Sequence, residues 1–107
     1  MTPVQDSAAD GPPRTSDGHY VIVNGRRWRA ADPDIPEEAA SVLRRELMSA
    51  RRAVKAAMKA NEADAERTAR DRVQRVKVAL GERGTPWWEQ TSAERRKRWA
   101  DVADRLG

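Results

Sequence analysis

The chain has 107 residues, 21 basic against 17 acidic, a single histidine and no cysteine, and carries a net charge of +4. That inventory excludes disulfides, thiolate catalysis and cysteine-based zinc sites, and one histidine cannot build a histidine metal cluster. Apolar material is scarce, with four leucines, two isoleucines and no phenylalanine, so the four tryptophans are expected to be keystones of a small core.

Residues 1–18 are rich in Pro, Gly and small polar side chains and carry a net acidic charge, so they are expected to form a disordered tail. A single small domain is then expected over residues 19–107. The first element is a hairpin. Asn24-Gly25 joins Tyr20-Val21-Ile22-Val23 to Arg26-Arg27-Trp28-Arg29, and both turn positions of a type I′ turn require positive φ. The turn fixes the register: Val23 faces Arg26, Ile22 faces Arg27, Val21 faces Trp28 and Tyr20 faces Arg29. Val21, Val23 and Trp28 are expected to pack inward. Tyr20, Ile22, Arg27 and Arg29 form the outward face, where Arg29 could stack on Tyr20 as a cation–π pair.

Asp34 and Glu37 have the spacing of a capping box ahead of a helix, with Pro36 tolerated in its first turn. Ala40, Leu43, Leu47, Ala50, Val54 and Ala57 then recur at three- and four-residue steps, which predicts an amphipathic helix to about Ala60. A second stripe runs through Ala69, Val73, Val76 and Leu80 and stops at Gly81. At 100° per residue the two stripes point in different directions on one rod, so two antiparallel helices turning near Asn61 are favoured. With no Gly or Pro at that turn, one long bent helix is the alternative. Of the adjacent Trp87 and Trp88, one is expected to pack inward and the other to lie half exposed. Thr91 and Glu94 predict a second capping box, opening a short helix with Trp99, Val102, Ala103 and Leu106 on one face. The expected fold is mainly α: a two-stranded hairpin packed on an antiparallel helical hairpin, closed by a short C-terminal helix.

Catalytic groups are not apparent. His19 stands beside the tail, acidic pairs such as Glu37-Glu38 suit the first turn of a helix, and no glycine-rich phosphate loop follows a strand. The protein is expected to be no enzyme and to hold no cofactor or metal. The first helix carries two basic rows opposite its apolar stripe, Arg44, Arg51, Lys55 and beside them Arg45, Arg52, Lys59, interrupted nearby only by Glu46. Such a face could contact phosphates or could simply be solvated. The hairpin's Tyr20, Ile22, Arg27 and Arg29 are the candidate protein-contact surface.

Two stretches, Tyr20 to Glu38 and Lys77-Val-Ala-Leu-Gly-Glu-Arg-Gly-Thr-Pro-Trp-Trp-Glu89, resemble a family of short uncharacterised bacterial proteins often labelled "biopolymer transporter Tol". The resemblance implies a bacterial cytosolic protein and brings no activity, cofactor or site residues. The label's envelope role is not expected here. The chain has no signal-like start and no apolar run of membrane-spanning length, so a cytoplasmic location is expected. The leading functional expectation is a non-enzymatic protein-interaction module. Nucleic-acid binding through the basic rows and hairpin arginines is the alternative, and self-association through alanine-rich helix faces a third.

Overall fold

The computed structural model describes residues 13–106, whose elements run β1 (Tyr20–Val23), β2 (Arg26–Arg29), α1 (Glu37–Lys59), α2 (Ala63–Leu80), a 3-10 turn (Trp87–Glu89) and α3 (Ser92–Leu106). The chain divides into two units, one ending at Ala31 and one beginning at Asp32.

In the first unit Asn24 and Gly25 both take positive φ, 52° and 77°, as a type I′ turn demands. The antiparallel register is Tyr20 with Arg29, Val21 with Trp28, Ile22 with Arg27 and Val23 with Arg26, as the turn dictates. The expected tail is corrected at its end. Residues 1–12 lie outside the described residues, but Arg14 bridges Val21 on the free edge of β1, and the Ile22 N–H donates to the Pro13 carbonyl at 2.8 Å. An edge strand offers unpaired backbone groups, and this segment takes them up. Thr15 closes the connection: its N–H donates to the Tyr20 carbonyl at 2.9 Å, and its hydroxyl donates to Asp17 at 2.6 Å.

The inward role expected of Val23 and Trp28 is also corrected, since they remain 38% and 45% exposed. The register explains this. Arg26 stands on the same face, and its guanidinium lies 4.6 Å from the Trp28 ring centroid. A face that carries a guanidinium stays wet.

In the second unit α1 buries Ala40, Leu43, Leu47, Ala50 and Ala57, and α2 buries Ala69, Val76, Ala79 and Leu80. These follow the two stripes read from periodicity, except that Val54 and Val73 are half-buried and Ala79 joins the second. The helices are separate and antiparallel: Arg70 of α2 reaches Met58 near the end of α1, while Arg72 reaches Glu46 and Ser49 further back. Asn61 makes the break. It takes φ 57°, its N–H donates to the Met58 carbonyl at 3.2 Å, and the Glu62 N–H donates to Ala57 at 2.9 Å. These are the two bonds of a Schellman stop, and Asn is among the few side chains that tolerate the left-handed position. The same pair of bonds recurs at Gly81, where φ is 89°.

Asn61→Ala is therefore expected to destabilise the helical unit by about 1 kcal/mol, while Asn61→Gly stays within about 0.5 kcal/mol of the parent. Urea midpoints followed by far-UV circular dichroism would read this, and equal midpoints for the two variants would contradict it.

The Asp34–Glu37 capping box does not form. Pro36 is the N-cap of α1 and makes no side-chain cap, which leaves Asp34 two residues too early. The turn is held instead by Asp32, whose Oδ1 accepts the Asp34 N–H at 2.9 Å. The Thr91–Glu94 box does form, with reciprocal bonds of 2.9 and 3.1 Å. Helix α3 packs on both α1 and α2. Trp87 is buried and Trp88 half-buried, with their rings edge to face at 5.2 Å.

Candidate functional site

The buried charge of the helical unit gathers at Asp32, whose side chain is fully buried. Arg95 donates from Nε at 3.0 Å and from Nη2 at 2.5 Å, and Arg98 donates from Nη2 at 2.5 Å. Arg98 also donates to the Ala79 carbonyl and to Gln90 Oε1, at 3.1 and 2.5 Å. Arg95 pairs in addition with Asp34 at 2.9 Å and lies 5.2 Å from the Trp87 ring centroid. Burial raises the Asp32 pKa, but the hydrogen bonds from Arg95, Arg98 and the Asp34 backbone outweigh it and hold the carboxyl at about 2. A carboxylate that is permanently ionised and fully engaged is poorly suited to proton transfer near neutral pH. Its geometry suits a clamp between the loop before α1, the end of α2 and α3.

Periodicity missed this clamp, although one signal was present. Stepping back from Leu106, Val102 and Trp99 by helical spacing places Arg95 and Arg98 on the inner side of α3, where a guanidinium requires a buried partner.

The outer face of α1 is of a different kind. Arg44, Arg45, Arg51, Arg52, Lys55 and Lys59 are all exposed, spanning about 22 Å of helix, with Arg51 at the edge of the buried seam and the others further round. Arg44 pairs with Glu37 at 2.6 Å, and Arg45 donates to the Ser41 hydroxyl at 3.4 Å. Arg51, Arg52, Lys55 and Lys59 have no carboxylate at ion-pair distance among the described residues. Glu46, the acid nearest to the rows in sequence, is drawn away by α2: Arg72 holds both its oxygens at 2.8 and 3.1 Å and also bonds Ser49. That arginine keeps the Glu46 carboxyl below its ordinary value. Of the exposed arginines of α2, Arg67 pairs with Asp64 at 2.8 Å and Arg70 with Glu66 at 2.7 Å, while Arg75 has no carboxylate at ion-pair distance among the described residues. Helix α1 thus carries four exposed cations without an ion pair among the described residues.

On the hairpin, Tyr20, Ile22 and Arg29 are half-buried and Arg27 is exposed. Tyr20 faces Arg29 in the register. The Arg27 guanidinium, on the diagonal, sits 4.6 Å from the Tyr20 ring centroid. The opposite face carries the Arg26–Trp28 stack, which the sequence reading did not foresee.

Among the described residues no group of three or more His, Cys, Asp or Glu could hold a metal ion, and no helix is long and apolar enough to cross a membrane. No protein-family model, curated protein or solved structure matches the chain.

Proposed function

We propose that this protein is a non-catalytic binding module that docks the outer face of α1 on the phosphate backbone of nucleic acid. The observation carrying this reading is that Arg51, Arg52, Lys55 and Lys59 stand exposed with no carboxylate at ion-pair distance among the described residues, while Glu46, the acid beside Arg45, is held by Arg72. A helix presenting cations alone gains by displacing condensed counterions from a polyanion, and such contacts carry no sequence information.

The triple variant Arg52→Gln, Lys55→Gln, Lys59→Gln tests it. Log affinity for duplex DNA or RNA should fall with log salt with a slope of about −0.9 per phosphate contacted, and the variant should flatten that slope by about three units. Fluorescence anisotropy across a salt series measures both. Parent protein that binds neither duplex at low salt would end this reading.

A second reading, a protein contact through the hairpin, is favoured by the exposure of Trp28 at 45% and by the Arg27–Tyr20 stack, since Trp, Tyr and Arg are enriched at interfaces. A solution mass above that of one chain, returning to one chain on Trp28→Ala, would assign the hairpin to self-association.

A further inference from the structure

A cleft of about 410 Å³ opens between α1 and α2, lined by Arg51, Val54, Arg70, Val73, Gln74 and Arg83. Its size falls in the range of small-ligand pockets, and its make-up resembles theirs: an apolar floor with a few convergent polar groups. The two valines supply the floor, half-buried between the helices.

The charge is not balanced. Arg70 is bound by Glu66 at 2.7 Å and donates its other arm to the Met58 sulfur at 3.5 Å. Arg83 donates to the side-chain oxygen of Gln74, a neutral acceptor that orients the guanidinium without discharging it. Arg51 and Arg83 have no carboxylate at ion-pair distance among the described residues. Next to the cleft Lys77 pairs with Glu82 at 3.7 Å. Burial holds its pKa below the ordinary lysine value, and although Glu82 opposes this, the charges of Arg83 and Arg51 add to it. The cleft thus retains two uncompensated positive charges beside an apolar floor.

We propose that this cleft is a site for a dianionic phosphate monoester whose ester group is a small ring or apolar body. The phosphate engages Arg51 and Arg83, and the body lies on Val54 and Val73. Two uncompensated guanidiniums match a monoester, which carries −1.5 to −2 near pH 7, and Arg forks suit its oxygens. An internal phosphodiester carries only one charge and so leaves one of the two guanidiniums unmatched. The same chemistry can come from a free small ester or from the phosphorylated end of a nucleic-acid strand. The inference goes beyond polyanion docking and shares only Arg51 with it.

Isothermal titration of the full chain with phenyl phosphate and with inorganic phosphate tests it, alongside a 5′-phosphorylated oligonucleotide and its 5′-hydroxyl counterpart. Phenyl phosphate should bind saturably and about tenfold more tightly than inorganic phosphate, because only the ester covers the floor. Arg83→Gln and Arg51→Gln should each weaken phenyl phosphate by at least about tenfold, as expected for lost charge-assisted hydrogen bonds. The triple variant Arg52→Gln, Lys55→Gln, Lys59→Gln should leave it within about twofold while flattening the salt slope for duplex, so the two readings fail separately. A preference for the 5′-phosphorylated strand that Arg83→Gln abolishes would name strand ends as the source, and its absence with phenyl phosphate still bound would name the free ester. Lack of saturable phenyl phosphate binding, or binding that Arg83→Gln leaves unchanged in a variant with parental circular dichroism, would overturn the proposal.

Discussion

Replacing Asp32 with alanine is expected to cost about 3–5 kcal/mol, the range for breaking a buried ion pair by removing one partner. Small domains have a total stability of only about 5–15 kcal/mol, so most of the helical unit's margin would go. The reason is geometric. The carboxylate is fully buried and Arg98 is 7% exposed, so neither charge can be rehydrated when the other is deleted. Arg98 would keep the Ala79 carbonyl and Gln90, which satisfy its donors but not its charge. Asp32→Ala also deletes the acceptor for the Asp34 N–H, loosening the turn that enters α1. Asp32→Asn keeps one carbonyl oxygen and the side-chain volume, so its loss should fall clearly short of the alanine variant's. Urea denaturation followed at 222 nm measures both. A loss below about 1 kcal/mol for Asp32→Ala would mean that water reaches the clamp, because exposed pairs contribute no more than that.

The same group sets an acid limit. Its folded pKa of about 2 lies below the ordinary aspartate value of about 3.9. Depression in the folded state means that the unfolded chain binds the proton first, so the stabilisation is complete above about pH 4. It is lost as pH falls through 4 toward 2, and amounts to about 2–3 kcal/mol. Glu46, lowered chiefly by its hydrogen bond from Arg72, has the same sign and adds to the loss. The melting temperature should therefore be nearly flat from pH 7 to 5 and fall steeply below 4. In Asp32→Asn, if folded, the fall should be shallower.

What the chain discloses before folding is its local physics. Asn24-Gly25 determined the hairpin and each of its pairings. The three- and four-residue steps through Leu43, Leu47 and Ala50, and through Ala69, Val76 and Leu80, determined which sides of α1 and α2 are buried. Asn61 was readable as a turn but not as the stop itself, since its left-handed conformation is fixed only when the Met58 carbonyl accepts its N–H and the Ala57 carbonyl that of Glu62. The clamp could not be read locally, because Asp32 and Arg95 are 63 positions apart. The six cations of α1 follow from periodicity, yet their pairing does not. Glu46 adjoins Arg45 in sequence but points to Arg72, 26 positions away, a choice that no local spacing reports. Trp28 shares its face with Val21 and Val23, which suggested burial, but Arg26 two residues earlier stands on the same face and commits it to solvent.

Trp87→Ala and Trp28→Ala should consequently have opposite outcomes, although the two indoles carry equal apolar area. Trp87 is 8% exposed. It is packed edge-on against Trp88, lies beneath the Arg95 guanidinium, and places Cδ1 3.0 Å from where a side chain at Gly81 would begin. Deleting that ring opens a cavity that the αL glycine and the ion-paired Asp32 behind it are poorly placed to fill, at a cost of about 3–5 kcal/mol. It also removes the low-dielectric cover over Arg95, so its effect should be less than additive with that of Asp32→Ala, as for residues sharing one network. Trp28, 45% exposed with Arg26 along its face, leaves no cavity when truncated. Its removal should change the helical melt by no more than about 0.5 kcal/mol, as surface substitutions do. At about 4–8 °C per kcal/mol for a domain of this size, the two melting temperatures should differ by more than about 10 °C. Equal losses would show that the hairpin tryptophan bears on the helices as strongly as the buried one, and the assignment of Trp87 alone to the clamp's hydrophobic cover would then be wrong.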